Sequence, residues 1–382
     1  MFIIYTYKDL QIMQSWSLER KVRVTQLRIM EWYKHFNGKV KVSFSGGVDS
    51  LVLLDLARRI YPEIGAVFVN TTVEYPEIVR FVKGFDNVDI ITPKISYTNV
   101  IEKYGYPVIS KEVSNYIHRV KSYDGCYEAY KQGLHLKPAE WIRENFSTVP
   151  FAFWKCMLGL SHKTADTFLQ TGVLPQKARY YIPKQWQHLI DAPFRISDTC
   201  CYHLKKAPVK KYLKDTGCVN IVGTLAEESK LREYVWRKNG CNAFNSATPK
   251  STPLSFWTSQ DIMRYLQITK IPHCSIYGDI AEENGVLRFT GCQRTGCTGC
   301  LFGCQNDGEP NRLQQLKITH PKIYNYEKKL LGITAMTSLL GKAKFNTLLG
   351  SYITKAPGKP TLLSENDKRT AMNTAAEDFK EN

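Results

Sequence analysis

The sequence predicts an α/β protein: a doubly wound, mostly parallel sheet with a helical insertion and a small C-terminal cysteine-rich and helical region. Three observations lead there. A strand-like alternation (Val40, Val42, Phe44) runs into residues at helical spacing (Val52, Leu53, Leu56, Ala57, Ile60), and an apolar strand from Ala66 to Val69 closes a βαβ unit. The turn inside that unit is glycine-rich, Ser45-Gly46-Gly47-Val48-Asp49-Ser50. After a long interruption the alternation returns at Val219 to Gly223.

Residues 10–37 read as an amphipathic helical lead-in that ends at Asn37-Gly38. Asn70-Thr71-Thr72 falls at the carboxyl end of the second strand, the edge that lines the ligand crevice of open α/β sheets, so Asn70 is a candidate ligand contact. A helix over about Pro76 to Lys83 and a strand over Asp89 to Thr92 continue the pattern, and Tyr104-Gly105-Tyr106-Pro107 reads as a turn before Lys111. Residues 121–190, with scattered aromatics, form the predicted helical insertion. Ala226-Glu227-Glu228-Ser229 precedes a helix to Trp236. The expected organisation is a nucleotide-binding domain over 1–290 and a cysteine-rich loop with a helical tail over 291–382, disordered from about 364.

At a strand-to-helix turn, paired glycines let several backbone N–H groups converge, and the helix end adds partial positive charge; the result is an anion cradle. Ser45 and Ser50 can donate to phosphate oxygens, and Asp49 suits the first helical turn or a metal bridging to phosphate. The plainer alternative is a glycine turn with an Asp/Ser cap.

Lysine and arginine outnumber acids 52 to 35, a formal charge of +17 that favours polyanions, either a nucleic-acid substrate or an anionic nucleotide. A solvated basic surface accounts for the charge equally well. The densest patch is Lys205, Lys206, Lys210, Lys211 and Lys214. No apolar run approaches the ~18 residues of a membrane span. Met1 to Tyr7 is too short for a signal peptide, so the expected location is cytoplasmic, with no membrane partner.

Eleven cysteines suit metal chemistry better than a disulfide framework in that compartment. Cys200-Cys201 is a vicinal pair; far downstream come Cys292, Cys297, Cys300 and Cys304 among glycines. Cys297-x-x-Cys300 can bring two thiolates to one centre and the vicinal pair can complete four, a soft set that selects an iron–sulfur cluster or zinc. Isolated cysteines such as Cys126, Cys156 and Cys218 read as small buried hydrophobes.

Ser-Gly-Gly-x-Asp-Ser in this setting resembles the PP-loop of the ATP-pyrophosphatase superfamily, and the resemblance extends over about residues 20–305 to the phosphoadenosine phosphosulfate (PAPS) reductase-like family with iron–sulfur cysteines. It implies an adenine nucleotide alpha hydrolase-like fold. Cys200, Cys201, Cys297 and Cys300 match that family's cluster pattern, implying a [4Fe–4S] cluster with zinc as the alternative, while Cys292 and Cys304 are extra. Lys205 and Pro208 match one signature and Gly223, Ala226, Ser229 and Arg232 another; Leu204 and Leu225 replace an arginine in each. Pro253-Leu254 with Trp257-Thr258 matches a segment that reads as architecture, Trp257 as core and Thr258 as a helix cap.

The resemblance implies binding of ATP, or of APS or PAPS, with Mg²⁺ held by Asp49 and with Lys111 and Arg232 as phosphate clamps. Attack on the α-phosphorus of ATP would release pyrophosphate, and sulfur carried at the cluster, supplied by a donor such as a cysteine desulfurase, would displace AMP. The alternatives are true APS or PAPS reduction and a non-catalytic nucleotide- and cluster-sensing subunit. Against reduction, no cysteine follows Cys304 in the chain to serve as a mobile nucleophile.

Overall fold

The computed structural model describes residues 5–174, 181–246 and 248–331. It places β1 (Val40–Ser43), β2 (Gly65–Val69), β3 (Val88–Ile91), β4 (Val219–Val222), β5 (Asn242–Ala243) and β6 (Lys250–Ser251) in one sheet of order β3-β2-β1-β4-β6-β5. All pairings are parallel except β5 with β6. The chain runs from β1 to β2 and β3 on one side, then returns to lay β4 on the other. Its switch point therefore lies between β1 and β4, where the carboxyl ends of neighbouring strands open a crevice.

Burial explains the strands. Val40, Val42 and Phe44 turn into the core, and β2 is buried along almost its whole length, as a parallel strand covered on both faces must be. The helix after β1, Val48–Arg58, packs against the helices Leu18–His35 and Ser259–Thr269. The predicted lead-in is two helices, Tyr7–Gln14 and Leu18–His35, because Ser17 leaves helical geometry to cap the second, its hydroxyl accepting from Arg20 N at 3.4 Å. The second helix ends where Asn37 and Gly38 take positive φ, 49° and 76°.

The insertion between β3 and β4 is helical, with helices Cys126–Lys131, Ala139–Asn145, Phe151–Leu158 and His162–Thr171, and a 3-10 stretch at Lys184–Asp191. The predicted turn at Tyr104–Pro107 is present. Gly105 takes φ 114°, and a Cβ there would stand 2.8 Å from the Arg195 carbonyl carbon, so this close approach requires glycine.

An antiparallel hairpin of β7 (Ile280–Glu283) and β8 (Val286–Phe289) was not foreseen. Its turn, Asn284-Gly285, has φ 51° and 76°, the left-handed pair of a tight two-residue hairpin. Beyond it, the helices Arg312–Thr319 and Pro321–Leu331 agree with the predicted helical tail; the disorder expected from about residue 364 lies outside the described residues. No helix among the described residues is long and apolar enough to cross a membrane.

Trp257 is fully buried and its Nε1 donates to Thr25 Oγ1 at 2.8 Å, while Thr258 caps the helix Ser259–Thr269 in a reciprocal arrangement with Asp261. Lys21, 1% exposed, donates from Nζ to Asp261 and to the Gln14 carbonyl, both at 2.6 Å. Burying this pair unbalanced is costly. Lys21→Met should lower stability by about 3 kcal/mol by urea denaturation with an unchanged slope, and adding Asp261→Leu should recover part of the loss.

Candidate functional site

The Ser45–Ser50 turn lies at the switch point, and its shape follows from two contacts. Gly46 takes φ 72°, and a Cβ on it would fall 2.8 Å from Ile78 Cγ2 and 2.9 Å from Val82 Cγ2. The turn therefore packs directly on the helix Pro76–Lys83. Ser50 ties the loop to itself, accepting from Ser45 N at 3.1 Å and donating to the Gly47 carbonyl at 2.8 Å. Ser45 Oγ lies 3.0 Å from Ser50 Oγ and accepts from Gly47 N at 3.3 Å. Gly47 stands at the N-terminus of Val48–Arg58 with no side-chain cap, leaving that helix end open to an anion.

A cavity of about 480 Å³ opens beside the turn, over the carboxyl ends of β1, β2 and β4. Its polar lining includes Ser45, Asp49, Glu74, Lys205, Arg232 and Arg294. Gly223, which follows β4, approaches so closely that a Cβ would meet the Asp49 carbonyl oxygen at 2.9 Å. A second cavity, of about 680 Å³, shares Ser45, Asp49, Glu228, Arg294 and Thr295 with the first and extends under the β7–β8 hairpin.

Asp49 stands in the shared wall. Burial raises its carboxyl pKa to about 6, against the pull of Arg294 and Arg232 and with Glu227 adding repulsion. Arg232 pairs with Glu228, which Arg294 also approaches at 3.4 Å; burial and the neighbouring Arg294 both lower the Arg232 pKa, while Asp49 opposes them.

The cysteine-rich loop is the far wall of this site. Thr295 Oγ1 lies 2.7 Å from Tyr277 Oη, and that Tyr277 hydroxyl is 3.3 Å from where a Cβ on Gly47 would be. Two residues before its second thiol the loop is fastened again: Thr298 N donates to the Val73 carbonyl at 2.7 Å, and Thr298 Oγ1 donates to Glu327 Oε1 at 2.7 Å. Glu327 is 2% exposed, and burial raises its pKa.

Cys200, Cys201, Cys297 and Cys300 are near enough to influence one another's ionisation, and Cys200, Cys201 and Cys297 share an apolar cluster with Val73, Tyr97 and Phe302. Hydrogen bonding from Cys200 lowers the Cys201 thiol, against burial, with help from Lys111 and Lys205; Cys200 is raised in return. Burial pushes Cys297 up to about 11 and raises Cys300. Among the described residues, no group of three or more His, Cys, Asp or Glu side chains is arranged to hold a metal ion. The four thiols come from two distant segments, and Lys111 and Lys205 lie near enough to favour a thiolate at Cys201. Cys292 is elsewhere, in the main core beside Tyr75, and Cys304 donates to the Cys300 carbonyl at 3.4 Å.

Of the residues singled out in the sequence, Ser45, Asp49, Ser50 and Arg232 line the 480 Å³ cavity, and Ser45, Gly47 and Asp49 also line the larger one. Lys111 is not in either wall; it hydrogen-bonds Cys201. Asn70 is also outside both walls, its Oδ1 accepting from Thr72 N at 3.0 Å in a local turn. Sequence reasoning named Lys205 and Glu228 without assigning them to the site and did not single out Glu74 or Arg294. Lys205 had a signal in its family signature. Arg294 had one in its place three residues before Cys297. Glu74 pairs with Lys205 at 3.6 Å and is 8% exposed, a long-range contact that no local pattern shows. Cys126 and Cys156 are fully buried, as expected of isolated cysteines, but Cys218 is only partly buried: it lies just before β4, its thiol turned to the Thr216 carbonyl at 3.8 Å.

Because the Asp49 pKa is raised on folding, its charged form weakens the fold as pH rises from about 4 through about 6, and the cost persists above that. Asp49→Asn should therefore be more stable than the parent by on the order of 2 kcal/mol at pH 8 and equal to it at pH 3.5. Paired thermal melts at those two values check this.

The family model "Phosphoadenosine phosphosulfate reductase domain" matches residues 39–131 and 170–301, more than half of the chain. A model for a protein of unknown function matches residues 307–370. An uncharacterized protein of Methanocaldococcus jannaschii is 27% identical over 120 residues, 30% of this chain; the match spans 29% of that relative's length. Among solved structures, phosphoadenylyl-sulfate (PAPS) reductase from Candida auris, in its phosphate complex, aligns with 13% identity and a TM-score of 0.33 over 72% of this chain and 92% of that one. The glycine-rich turn, the nucleotide-sized cavity and the paired cysteine segments all fall within the span of the first model, and the chain belongs to the phosphoadenosine phosphosulfate reductase family.

Proposed function

We propose that the chain cleaves ATP to AMP and pyrophosphate in an adenylation-dependent sulfur transfer. The observation that carries this reading is the helix end left open after Gly47, beside a cavity lined by Ser45, Asp49 and Ser50 of the same turn together with Arg232 and Lys205. The cradle amides with Ser45 and Ser50 would receive the charge that grows on the departing pyrophosphate. Arg232 would steady the phosphates, and Asp49 would hold Mg²⁺, which when bound neutralises phosphate charge. An acceptor oxygen attacks the α-phosphorus, the bond to pyrophosphate breaks, and the acceptor is left as an adenylate. The terminal sulfur of a persulfide on a donor of the cysteine desulfurase kind then displaces AMP, and a second thiolate, of a dithiol reductant, cleaves the S–S bond that still joins acceptor and donor, leaving one sulfur on the acceptor and the two thiol sulfurs as a disulfide.

The same reading gives Cys200, Cys201, Cys297 and Cys300 to a [4Fe–4S] cluster or to zinc, with Lys111 and Lys205 balancing thiolate charge. Such a centre would supply a soft, sulfur-binding or electron-accepting site beside the nucleotide. Thr298 and Glu327 would hold the Cys297–Cys300 loop in position.

Sulfonucleotide reduction is less well supported by these residues. The two positions where the resemblance expects arginines are Leu204 and Leu225, 1% and 2% exposed, and both belong to the apolar core. Each missing charge-assisted contact to a sulfate or phosphate would cost about 1.5–3 kcal/mol.

Anaerobic protein incubated in parallel with ATP, APS and PAPS, and assayed for pyrophosphate, AMP and sulfite, tests the reading. Pyrophosphate from ATP is expected. Sulfite from APS or PAPS would make the chain a reductase, and binding without products would make it a sensor subunit. Gly47→Val should abolish nucleotide binding by calorimetry without changing the melting temperature, since its Cβ would crowd Ser45 Oγ at 3.2 Å and Tyr277 Oη. Protein purified anaerobically should carry about four irons. The double variant Cys201→Ser/Cys297→Ser should lose them, and stoichiometric zinc without iron would instead select the zinc centre.

A further inference from the structure

The helix Ala207–Thr216 separates the nucleotide cavity from a different groove. Lys206 and Val209 line the nucleotide cavity. Ala207, Pro208, Lys211 and Tyr212 line the groove, which measures about 540 Å³ and is mostly apolar, closed on its far side by Ile91 and Ile95. Between the two, Lys206, Lys210 and Lys214 stand exposed at four-residue spacing, one above another on the helix surface about 6 Å apart. None of the three has an ion-pair partner among the described residues, whereas Lys211 pairs with Asp215. Beside Lys206, Lys250 is depressed in pKa by burial and by the nearby Arg232 and Lys206; Arg232 is paired with Glu228, and Asp215, which lines the groove, with Lys211, while the three ridge lysines are not paired among the described residues.

Aromatic faces accompany the charge. His203 lines the groove and stacks on Tyr104 with centroids 3.9 Å apart and planes 15° from parallel, and Lys103 lies over that tyrosine at 5.3 Å. Tyr202 is 51% exposed and meets the His203 ring edge-on with centroids 5.3 Å apart. Lysines at regular spacing, interleaved with accessible rings and flanking an apolar slot, match what a single strand of nucleic acid offers: a repeating phosphate charge and unstacked bases. A duplex keeps its bases stacked and would have nothing to place in the slot. An acidic protein segment would satisfy the lysines but leave the rings and the slot unused.

We propose that the Lys206–Lys210–Lys214 ridge and the groove beside it dock a single-stranded nucleic acid. Its backbone crosses the ridge, one base enters the groove, and the strand leads to the mouth of the nucleotide cavity at Lys206. The proposal rests on the reading of that cavity as a nucleotide site only in making the docked strand the sulfur acceptor; the docking itself stands on the surface alone.

The test is fluorescence anisotropy with a labelled 20-nucleotide single strand, the full chain, and a salt series, alongside calorimetry with ATP. Lys210→Glu/Lys214→Glu should weaken the single strand at least tenfold at low salt and flatten the slope of log K against log[salt] by about 1.4, two phosphates' worth. Tyr202→Ala should weaken it several-fold without changing the slope. ATP affinity should stay within twofold in both variants, so loss of ATP binding in the parent would count against the catalytic reading and not against the docking surface. Unchanged single-strand affinity in Lys210→Glu/Lys214→Glu overturns the proposal. So does duplex binding as tight as single-strand binding and indifferent to Tyr202→Ala. Tighter, ridge-dependent binding of polyglutamate would overturn it in favour of an acidic protein partner.

Discussion

The geometry of the site depends on the close approach of Gly46 to the helix Pro76–Lys83. With φ 72° and no room for a Cβ against Ile78 and Val82, the turn after β1 lies flat on its neighbour. That contact directs the first amides of Val48–Arg58 into the crevice. A side chain at this position would have to push the helix away or lift the turn, and either would reorient Gly47, Asp49 and Ser50 together. Gly223 imposes the matching limit from the other side, since β4 can run beside β1 only if nothing projects toward the Asp49 carbonyl. The cradle is therefore fixed by two glycines in contact with backbone and apolar carbon, and the polar groups follow from them.

The second dependence runs from the cradle to the thiols. Tyr277 and Thr295 fasten the start of the cysteine-rich loop to the glycine turn, Thr298 fastens its middle to Val73 just beyond β2, and Gly303 N donates to the Ile109 carbonyl at 2.7 Å. Glu74 and Lys205 join the two halves electrostatically. Lys205 loses hydration by burial, yet Cys297, Glu74 and Cys201 hold its ammonium charged. A change of charge at the thiols would be felt at Lys205, which also lines the nucleotide cavity. One half-buried lysine thus faces both the cavity and the thiols.

Most of the sheet and the glycine turn were legible because their signals are local. A period of two, a period of 3.6 and a glycine pair between them lie within about thirty residues, and burial of Val40, Val42 and Phe44 follows directly from the alternation. The short strands β5 and β6 left no pattern to read at two residues each. The β7–β8 hairpin did carry one, Asn284-Gly285, overshadowed by the cysteines that follow. Side-chain placement was harder. Lys111 matched a clamp by charge and chain position, but the turn at Gly105 and the helix it introduces carry it to Cys201. Asn70 sits at the right strand end, yet Thr72 takes φ 68° and its N–H donates to Asn70 Oδ1, drawing that side chain into a local turn. Strand order tells where a loop will be and not which way each side chain leaves it.

Glu327 shows how tertiary structure sets a site's limits. Its helix lies beyond the stretch that resembles the family, and nothing in its sequence points to the cysteines. One carboxylate oxygen accepts from Thr298, and the other is buried with no hydrogen-bond partner among the described residues. A charged carboxylate there carries a desolvation cost that its hydrogen bonds offset only in part, consistent with its raised pKa. The Tyr97 hydroxyl, raised first by burial and then by Glu327 and the thiols, donates to the Gly299 carbonyl at 3.2 Å. Acidic and thiol groups crowd around Thr298 and Gly299, and every one of them resists gaining negative charge. The cations that offset them are spread over the thiols, Lys205 acting on Cys297 and Cys201, Lys111 on Cys201 and Arg312 on Cys300, and of the four thiols only Cys201 is lowered below its ordinary value.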